Sequence, residues 1–432
     1  MSLYGQARGT RRSTPLVFVI QSSYLLRYAP PMTANSHTRR SFLSRGAAGF
    51  AAFAAGGLRA TDAQAAQQSY ANAPFAQLRD IGPLGDADAN GVRLPAGFQS
   101  RIVARSGEKP CSQARSVWHD APDGGAAFAG EAGGWIYVSN SEVRGGKGGV
   151  SALRFDARGD VVDSYRILEN TSSNCAGGAT PWGTWLSCEE HDSGLVYECD
   201  PQRPSNGVAR PLRGSFSHEA AAVDLAADRL YLTEDERDGG FYRFTADRGL
   251  PDLSSGLLEI ATVVSRAGAE FVEWRAVPDP LARNEATRHQ LADAYAFKGG
   301  EGIALHAGVV YFTTKRDNRV WAYRLDTQEL RVLYDAQTTQ DPVLSGVDNL
   351  TVTPAGDVLV AEDGGDMQLV VLTPSADGES AQAVPLLQLV GHDDSEITGP
   401  AFDPSFTRLY FSSQRGAQGS NGAGVTYEIT RV

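Results

Sequence analysis

The sequence is poor in lysine and cysteine and has no excess of positive charge. Lysine accounts for only four of the 39 cationic residues, and we attach no functional meaning to this scarcity. With 51 acidic residues the formal net charge is −12, which argues against non-specific binding to nucleic acids or anionic membranes. Beyond the N-terminal segment, no apolar run is long enough to cross a bilayer. Glycine is abundant, with 47 of 432 residues, which favours short strands joined by tight turns.

The N-terminal segment reads as a twin-arginine export signal. Residues 38–44 are TRRSFLS, and a small apolar stretch, GAAGFAAFAAGGL, follows up to an Ala63-Gln64-Ala65 cleavage site. A membrane-anchor helix is the weaker alternative, since the apolar stretch is short and rich in glycine. We therefore expect residues 1–65 to be removed after export by the twin-arginine machinery. The remaining domain, 66–432, would be a monomer in the periplasm or outside the cell.

A two-strand unit recurs along the mature chain. Each unit begins at a turn, continues through β-branched or aromatic residues and ends in polar residues, as in GGWIYVSNSE (133–142) and GDVLVAEDG (356–364). Equivalent ends are spaced by 49, 45, 80, 48 and 51 residues. A strand-rich repeat of this length is typical of a propeller blade. The equivalent ends are Asn140, Glu189, Glu234, Thr314, Glu362 and Ser413.

Six units predict an all-β fold, a six-bladed β-propeller, whereas a single barrel or sandwich would leave the period unexplained. The last blade reaches the C-terminus after three strands, so we expect residues 98–107, FQSRIVARSG, to supply its outermost strand. The 80-residue spacing predicts an insertion at about 247–298, between blades 3 and 4. Its segment PLARNEATRHQLADAYAF has the composition of a helix, so we expect the insertion to be partly helical.

Acidic residues occupy the two ends of each predicted hairpin. In a hairpin, the start of the first strand lies beside the end of the second, and the innermost strands of a propeller line one channel. We therefore expect one channel mouth to collect a large set of side chains. The set consists of Glu142, Cys175, Glu189, Glu190, Glu219, Glu234, Asp235, Glu301, Asp348, Glu362, Asp363 and Glu396.

So many carboxylates in one place need compensating cations. At equivalent positions the sequence offers only Lys315, Arg316 and Arg415, so bound metal ions are the simplest explanation. Carboxylate oxygens favour hard ions such as Ca²⁺, and a thiolate favours a transition metal, here iron. The alternative for any single acid is a local turn cap or an ion pair with a neighbouring arginine.

The four cysteines have more than one interpretation in an exported protein. Cys175 could be a buried thiol, half of a disulfide, a nucleophile or a metal ligand. Cys188 and Cys199 lie on either side of a turn, where a cross-strand disulfide and two buried free thiols are both compatible with the spacing.

The run CAGGATPWGTWLSCEE (175–190), the Ser-His-Glu of 217–219 and the leader resemble the PhoX family of secreted alkaline phosphatases. The resemblance covers roughly residues 80–432. It implies a six-bladed propeller that hydrolyses phosphate monoesters at a cluster of Fe³⁺ and Ca²⁺ ions in the channel mouth. It also implies that Cys175 and Glu219 are iron ligands, and that Glu142, Glu189 and Glu190 lie on or near the calcium ions.

The chain departs from the larger members of that family. Their Asp-Arg-Pro-Glu motif corresponds here to SGVDNLTV (345–352), with Asp348 in the position of the glutamate and Gly346 in place of the arginine. The chain is also shorter, which is consistent with a compact branch.

From the resemblance as a whole, we assign the catalytic role to Cys175, Glu219 and Asp348. Phosphate contact is assigned to Lys315, Arg316 and Arg415. The predicted metal ligands are Glu142, Cys175, Glu189, Glu190, Glu219, Glu301, Asp348, Glu362, Asp363 and Glu396.

Two other functions are compatible with an acidic propeller. One is a calcium-dependent lactonase or phytase-like hydrolase, for which the segments EGIAL and DNLTV would suit a single calcium site. Cys175 argues against it, because such a site has no use for a thiolate. The other is a non-catalytic propeller in which the metals are structural and the rim binds a partner, since a shared fold does not prove activity.

Overall fold

The computed structural model describes Tyr70, residues 72–378 and residues 380–432. The predicted export signal in residues 1–65 therefore lies outside the described residues. No helix in the described part of the chain has the length and hydropathy needed to span a bilayer. The described residues form 27 strands and five single-turn 3-10 helices, at Glu131–Gly133, Pro211–Arg213, Thr287–His289, Gly416–Gln418 and Asn421–Ala423.

The strands follow one another along the whole described chain. In chain order they are β1 (Leu84–Ala87), β2 (Val92–Pro95), β3 (Phe98–Arg105), β4 (Pro122–Ala129), β5 (Trp135–Ser141), β6 (Gly148–Phe155), β7 (Val161–Thr171), β8 (Asn174–Ala179), β9 (Trp185–Glu189), β10 (Val196–Cys199), β11 (Gly207–Ala209), β12 (His218–Asp224), β13 (Arg229–Glu234), β14 (Phe241–Ala246), β15 (Gly256–Arg266), β16 (Ala269–Ala276), β17 (Gly300–His306), β18 (Val309–Thr314), β19 (Arg319–Arg324), β20 (Glu329–Asp335), β21 (Val347–Val352), β22 (Val358–Glu362), β23 (Gln368–Pro374), β24 (Ala381–Leu389), β25 (Ile397–Phe402), β26 (Arg408–Ser413) and β27 (Val425–Arg431).

These strands form five antiparallel sheets within the described residues, in a propeller-like arrangement. Three sheets have four strands, in the orders β4-β5-β6-β7, β11-β10-β9-β8 and β25-β26-β27-β3. A six-stranded sheet has the order β1-β2-β24-β23-β22-β21. The fifth sheet has nine strands, in the order β12-β13-β14-β15-β16-β20-β19-β18-β17. The all-β prediction is therefore confirmed, but the predicted six blades do not appear as six separate sheets.

The nine-stranded sheet consists of two four-stranded meanders joined by one additional strand. Strand β16 pairs with β15 from Glu259↔Ala276 to Arg266↔Ala269. It also pairs with β20, through Glu270↔Leu330 and Phe271↔Glu329. An edge strand has unpaired backbone groups, and β16 covers the edge of β15 along its own length but that of β20 only at the first two residues of β20.

The prediction of a helical segment in the insertion is wrong. Residues 247–298 contain strands β15 and β16 and, as their helical structure, only the single turn Thr287–His289. The side chain of Asp279 accepts hydrogen bonds from the backbone amides of Leu281 and Arg283. Such local side-chain bonds compete with helical backbone bonds, so the segment folds as a tethered loop.

Strand β3 closes the sheet at the C-terminus, as predicted from the sequence. It pairs with β27 from Val425↔Arg105 to Arg431↔Phe98. The outermost strand of the last meander therefore comes from an early part of the described chain, and this closure joins that part to the C-terminal strand.

The first strands of six hairpins in the described chain pack against one another in a closed ring. Strand β4 contacts β8, β8 contacts β12, β12 contacts β17, β17 contacts β21, β21 contacts β25, and β25 contacts β4. The apolar cores lie between neighbouring sheets. Trp185 of β9, for example, packs with Val138 and Val150 of the preceding sheet. The ring therefore brings the ends of six hairpins to one opening.

All four cysteines lie within the described residues, and none forms a disulfide. Cys188 lies opposite Val196, and Cys199 lies opposite Trp185, so the two thiols do not face each other across the hairpin. Both are fully buried and pack in separate apolar clusters. Of the two alternatives for this pair, the structure supports buried free thiols.

Candidate metal centre

The first strand of each hairpin carries a chemically active residue at a local irregularity. In five hairpins this residue is the second one of the strand, and the pairing register shifts immediately around it. Such bulges bend a strand and redirect a side chain. In the sixth hairpin, Glu396 directly precedes β25, and the shift follows Thr398. The five residues at the shifts are Asp123, Cys175, Glu219, Glu301 and Asp348.

A second circle of polar residues comes from the other strand of each hairpin. The last residue of that strand pairs with the first residue of the inner strand, as in Glu189↔Asn174 and Glu362↔Val347. The residue that follows therefore emerges at the same opening. These following residues are Glu142, Glu190, Asp235, Lys315, Asp363 and Gln414.

The two circles form four groups of possible metal ligands among the described residues. Within each group the ligand atoms lie within 4.8 Å of one another. Three residues, Glu219, Asp348 and Glu396, each belong to two groups. The four groups therefore form one continuous cluster. The groups are Cys175/Glu190/Glu219, Asp123/Glu142/Glu396, Glu219/Glu301/Asp348 and Asp348/Asp363/Glu396.

Eight of the ten residues predicted as metal ligands therefore converge, and two do not. The Glu189 carboxylate accepts hydrogen bonds from the Ser172 amide at 2.9 Å and from the Leu195 amide at 3.2 Å. The Glu362 carboxylate likewise accepts from the amides of Ser345 at 2.7 Å and Gln368 at 2.9 Å. Both are the last residues of their strands, and side chains of successive strand residues point to opposite faces. They hold the connecting loops, while the next residue reaches the cluster.

Glu234 and Asp235 were also expected at the mouth but belong to none of the four groups. The buried Glu234 carboxylate accepts hydrogen bonds from the Gly240 amide and the Tyr242 hydroxyl, both at 2.7 Å, and pairs with Arg288 at 2.9 Å. Asp235 pairs with Arg316, with 3.4 Å between Oδ1 and Nη2. These two acids therefore form local ion pairs with arginine, which was the alternative to metal binding for any single acid.

Cys175 and Glu219 form the centre of the first group. The Cys175 Sγ atom lies 3.3 Å from Oε1 of Glu219, which also accepts a hydrogen bond from the Asn349 amide at 3.4 Å. The other oxygen of Glu219, Oε2, is buried and has no hydrogen-bond partner among the described residues. A buried carboxylate oxygen without a donor is costly unless a cation binds it.

The electrostatics of the cluster also favour a bound cation. Burial, followed by repulsion from Glu142 and Asp235, raises the pKa of Glu190 to about 8. Burial, with a smaller contribution from repulsion by Asp363, raises the pKa of Asp348 to about 7 against the opposing effect of Lys315. Burial and neighbouring carboxylates raise the pKa of Glu219 and of the Cys175 thiol well above their usual values. Metal ions would offset this repulsion, and these residues therefore fit such ions.

The three predicted phosphate-binding cations lie at the cluster and its edge. Lys315 Nζ lies 3.1 Å from Glu301 Oε1 and 2.9 Å from Asp363 Oδ2, and Arg415 Nη2 lies 2.6 Å from Glu396 Oε1. Burial lowers the pKa of Lys315, but the carboxylates of Glu301, Asp348, Asp363 and Glu396 outweigh it and raise the pKa well above the usual value. The side chains of Arg316 and Arg415 remain partly exposed, at 38% and 33%.

Gly346, in the expected place of an arginine, cannot carry a side chain. Its φ angle is +62°, and a Cβ atom there would lie 2.3 Å from the carbonyl oxygen of Asp363. The Asp363 amide also donates a 2.7 Å hydrogen bond to the Gly346 carbonyl. The absence of an arginine at position 346 is therefore consistent with this backbone, which leaves no room for a side chain there.

Three residues of the site were not singled out from the sequence. Asp123 is buried and is the second residue of β4, the same position that Cys175 has in β8, so extending the hairpin pattern to DGGAAFA would have identified it. The amide of Gln414 donates to Asp123 Oδ2 at 2.5 Å and to Glu142 Oε2 at 2.8 Å. The Asn349 amide donates to Asp348 Oδ1 at 2.8 Å. Neutral amides give no signal in a search for charged ligands.

Comparison with known proteins gives a consistent picture. The family model described as alkaline phosphatase PhoX matches residues 145–194, 191–329 and 304–416, which is more than half of the chain. None of the curated proteins compared with the chain matches it.

Similar solved structures include PhoX from Pseudomonas fluorescens in complex with vanadate, a transition state analogue. The two chains are 17% identical, the match covers 82% of this chain and 97% of that chain, and the TM-score is 0.64. A gluconolactonase from Xanthomonas campestris matches with 13% identity, coverage of 82% and 99%, and a TM-score of 0.41, which is too low to support an inference. By the extent of the family match, the chain belongs to the alkaline phosphatase PhoX family.

Proposed function

We propose that the protein is an exported, metal-dependent phosphatase that hydrolyses phosphate monoesters at the mouth of a six-bladed propeller. The observation that carries this proposal is the convergence of Cys175 with a continuous set of buried carboxylates in a chain of the PhoX family. In this interpretation each meander of the nine-stranded sheet is one blade, and β16 is an addition at the edge of the third.

The residues divide by the kind of ion that they suit. Cys175, Glu190 and Glu219 combine a sulfur with carboxylates, which suits Fe³⁺, and the all-carboxylate groups suit Ca²⁺. When bound, such ions supply Lewis acidity toward phosphoryl oxygens and a hydrolytic nucleophile. The predicted catalytic residues Cys175, Glu219 and Asp348 then serve as ligands that fix the position of this chemistry.

Other side chains of the site hold the metal ligands in place or are positioned to contact the phosphate group. The Asn349 amide donates to Glu219 and Asp348 and accepts from the Gly399 amide at 2.8 Å, so it fixes two ligands against the last blade. The partly exposed guanidinium of Arg415 presents donors at the edge of the cluster, a geometry suited to a phosphate group. Arg316 is the second exposed cation at this edge. No protein nucleophile is required by this arrangement.

A solved structure with a bound ligand supports phosphate-ester hydrolysis as the reaction class. The Pseudomonas fluorescens PhoX structure contains vanadate, described as a transition state analogue, and its fold covers most of this chain. Phosphoryl transfer spreads negative charge over the equatorial oxygens, so a site built from several cations is chemically appropriate.

The test is metal analysis of the exported protein combined with hydrolysis of p-nitrophenyl phosphate. We expect iron and calcium in the purified protein, and loss of hydrolysis on chelation or in Cys175→Ala. The matched control is Cys111→Ser, because Cys111 is partly exposed and belongs to none of the metal-ligand groups. Calcium without iron, with activity on lactones, would favour the lactonase function. Metal-loaded protein inert on both substrates would favour a binding propeller.

Export is proposed from the sequence and is tested separately. Replacing Arg39 and Arg40 with lysine in the full chain should leave the protein in the cytoplasm, because the twin-arginine pair is the recognition signal. The measurement is the distribution of the protein between cell fractions. Unchanged export would refute the twin-arginine assignment without affecting the phosphatase proposal.

A further inference from the structure

One member of the second circle has the opposite charge from most of the others. The equivalent positions hold acids in four hairpins, Gln414 in a fifth and Lys315 in the sixth. A lysine in place of an acid changes the local charge by two units. The side chain then attracts the neighbouring carboxylates and does not repel them. Lys315 is also the only lysine among the described residues with an ion pair in the metal-ligand cluster.

The Lys315 ammonium group lies between three carboxylates, two of them on strands β17 and β21 and the third directly after strand β22. Its Nζ is 3.1 Å from Glu301 Oε1, 2.9 Å from Asp363 Oδ2 and 3.9 Å from Asp348 Oδ2. The side chains of Glu301 and Asp348 are only 2% and 5% exposed. A cation surrounded on three sides by carboxylate oxygens occupies the kind of position that a hard metal ion would otherwise take.

Lys315 forms ion pairs in two of the four ligand groups and none in the other two, although its charge also acts on Glu142 and Glu190 of those groups and lowers the pKa of each. It contacts Glu301 and Asp348 of one group, and Asp348 and Asp363 of another. The Cys175 group has no such internal cation, and there the buried Oε2 of Glu219 lacks a hydrogen-bond partner among the described residues. Glu301 Oε1 also has no hydrogen-bond partner among the described residues, but Lys315 Nζ lies 3.1 Å from it. One side of the cluster is therefore partly compensated by a cation of the chain, whereas no lysine or arginine of the described residues forms an ion pair in the Cys175 group.

We propose that the Lys315 ammonium takes the place of one divalent cation of the cluster. The protein then binds its metal ions chiefly on the Cys175 side and beside Asp123 and Glu142, and the single charge of the ammonium compensates part of the Glu301–Asp348–Asp363 side. This inference rests on the proposed metal-dependent function and deepens it by specifying which part of the cluster needs no metal. Removing the ammonium would leave these three acids to bind a divalent ion in its place.

The test counts metal ions in Lys315→Met, which keeps most of the length of the side chain but removes its charge. After gel filtration in calcium buffer, elemental analysis should find one more calcium ion per chain in this variant than in the wild type. Lys298→Met is the control, since Lys298 is exposed and outside the ligand groups, and its count should equal that of the wild type. A second readout is the melting temperature, which should depend more strongly on calcium in Lys315→Met than in the control.

The outcomes separate this inference from the proposed function. Wild-type protein that binds no metal would refute the metal-dependent function. Wild-type protein that binds metal, with an equal or lower count in Lys315→Met, would overturn the inference alone. If Lys315→Met folds poorly, Lys315→Gln and refolding in millimolar calcium provide the second route. Failure of both variants to fold in calcium would also overturn it, because calcium must be able to replace the ammonium.

Discussion

The Sγ atom of Cys175 lies 3.3 Å from Oε1 of Glu219, although the two residues belong to different sheets. Each is the second residue of its strand and lies at a register shift. The contact between neighbouring inner strands thus joins a soft ligand and a hard one at one point of the ring. Because Glu219 also belongs to the group with Glu301 and Asp348, it connects the sulfur side of the cluster to the carboxylate side.

Glu219→Gln should remove metal without unfolding the protein. We expect metal affinity and phosphatase activity to fall by at least ~10–100-fold, since disturbing even an outer-shell partner of a metal has such an effect. The metal-free variant should be at least as stable as metal-free wild type, because a buried carboxylate with an unpartnered oxygen is lost.

Glu189→Gln is the contrasting variant to Glu219→Gln. The backbone amides of Ser172 and Leu195 donate to different oxygens of its carboxylate, and in glutamine one of these positions becomes an NH2 group that cannot accept, so we expect a loss of about 1–3 kcal/mol in unfolding free energy. Its metal content per folded chain should match the wild type. Denaturant unfolding and elemental analysis measure the two quantities, and a fall in metal content for Glu189→Gln would show that this residue is a ligand after all.

Much of the architecture could be predicted from the sequence because hairpins are local. The alternation of apolar residues, the turns and the regular spacing identified the strands, and even the closure by β3 followed from the missing fourth strand. The pairing of β16 with β20 could not be predicted, because it depends on the edges of two sheets meeting in space. The insertion was assigned from its helical composition, which local side-chain hydrogen bonds overrode.

The candidate site was predictable to the level of the strand end but not of the individual side chain. Glu189 and Glu190 are adjacent in sequence, yet one holds a loop and the other points into the cluster. Which of them faces the opening depends on where the strand stops, within one residue. Gln414 and Asn349 were missed because an uncharged amide becomes relevant only when its partners are known.

Metal-free protein should lose stability between pH 6.5 and pH 8.5. The folded state raises the pKa of Glu190 to about 8 and that of Asp348 to about 7, mainly through burial, whereas both groups ionise near pH 4 when unfolded. The folded state therefore holds more protons in this range, so its stability falls as pH rises. His218, whose pKa burial lowers to about 3, opposes this trend only near the lower end of the window, where the histidine of the unfolded chain loses its proton.

Bound metal should abolish this pH dependence, because the carboxylates are then ionised at both pH values. We expect a loss of at least ~2 kcal/mol in unfolding free energy across the window in chelator, and little change with metal. Denaturant unfolding at the two pH values measures it, and Glu190→Gln should show a shallower dependence without metal. Equal or greater stability at pH 8.5 in chelator would contradict the raised pKa values.

Arg415→Ala should weaken binding of the phosphate ester more than it affects metal content. Arg415 pairs with Glu396 and is one-third exposed, so its guanidinium can also reach a bound anion. Loss of a charge-assisted hydrogen bond of about 1.5–3 kcal/mol predicts a rise in KM of roughly 10–100-fold. The control is Arg324→Ala, which removes an exposed ion pair with Asp326. An unchanged KM in Arg415→Ala, with normal metal content, would leave Arg316 as the candidate for substrate contact.

Arg288→Ala should destabilise the protein and leave the metal centre intact. Arg288 comes from the insertion and pairs with Glu234, whose side chain is fully buried, at 2.9 Å. Removing one partner of a buried pair leaves an uncompensated charge, so we expect a loss of about 3–5 kcal/mol in unfolding free energy.

Arg283→Ala serves as the control, because its ion pair with Asp279 is more exposed and should contribute less than ~1 kcal/mol. Since Glu234 lies outside the four ligand groups, metal content per folded chain should stay at the wild-type value. A loss of metal in Arg288→Ala that exceeds the loss of folded protein would mean that the insertion supports the cluster directly, through the hairpin that ends at Glu234.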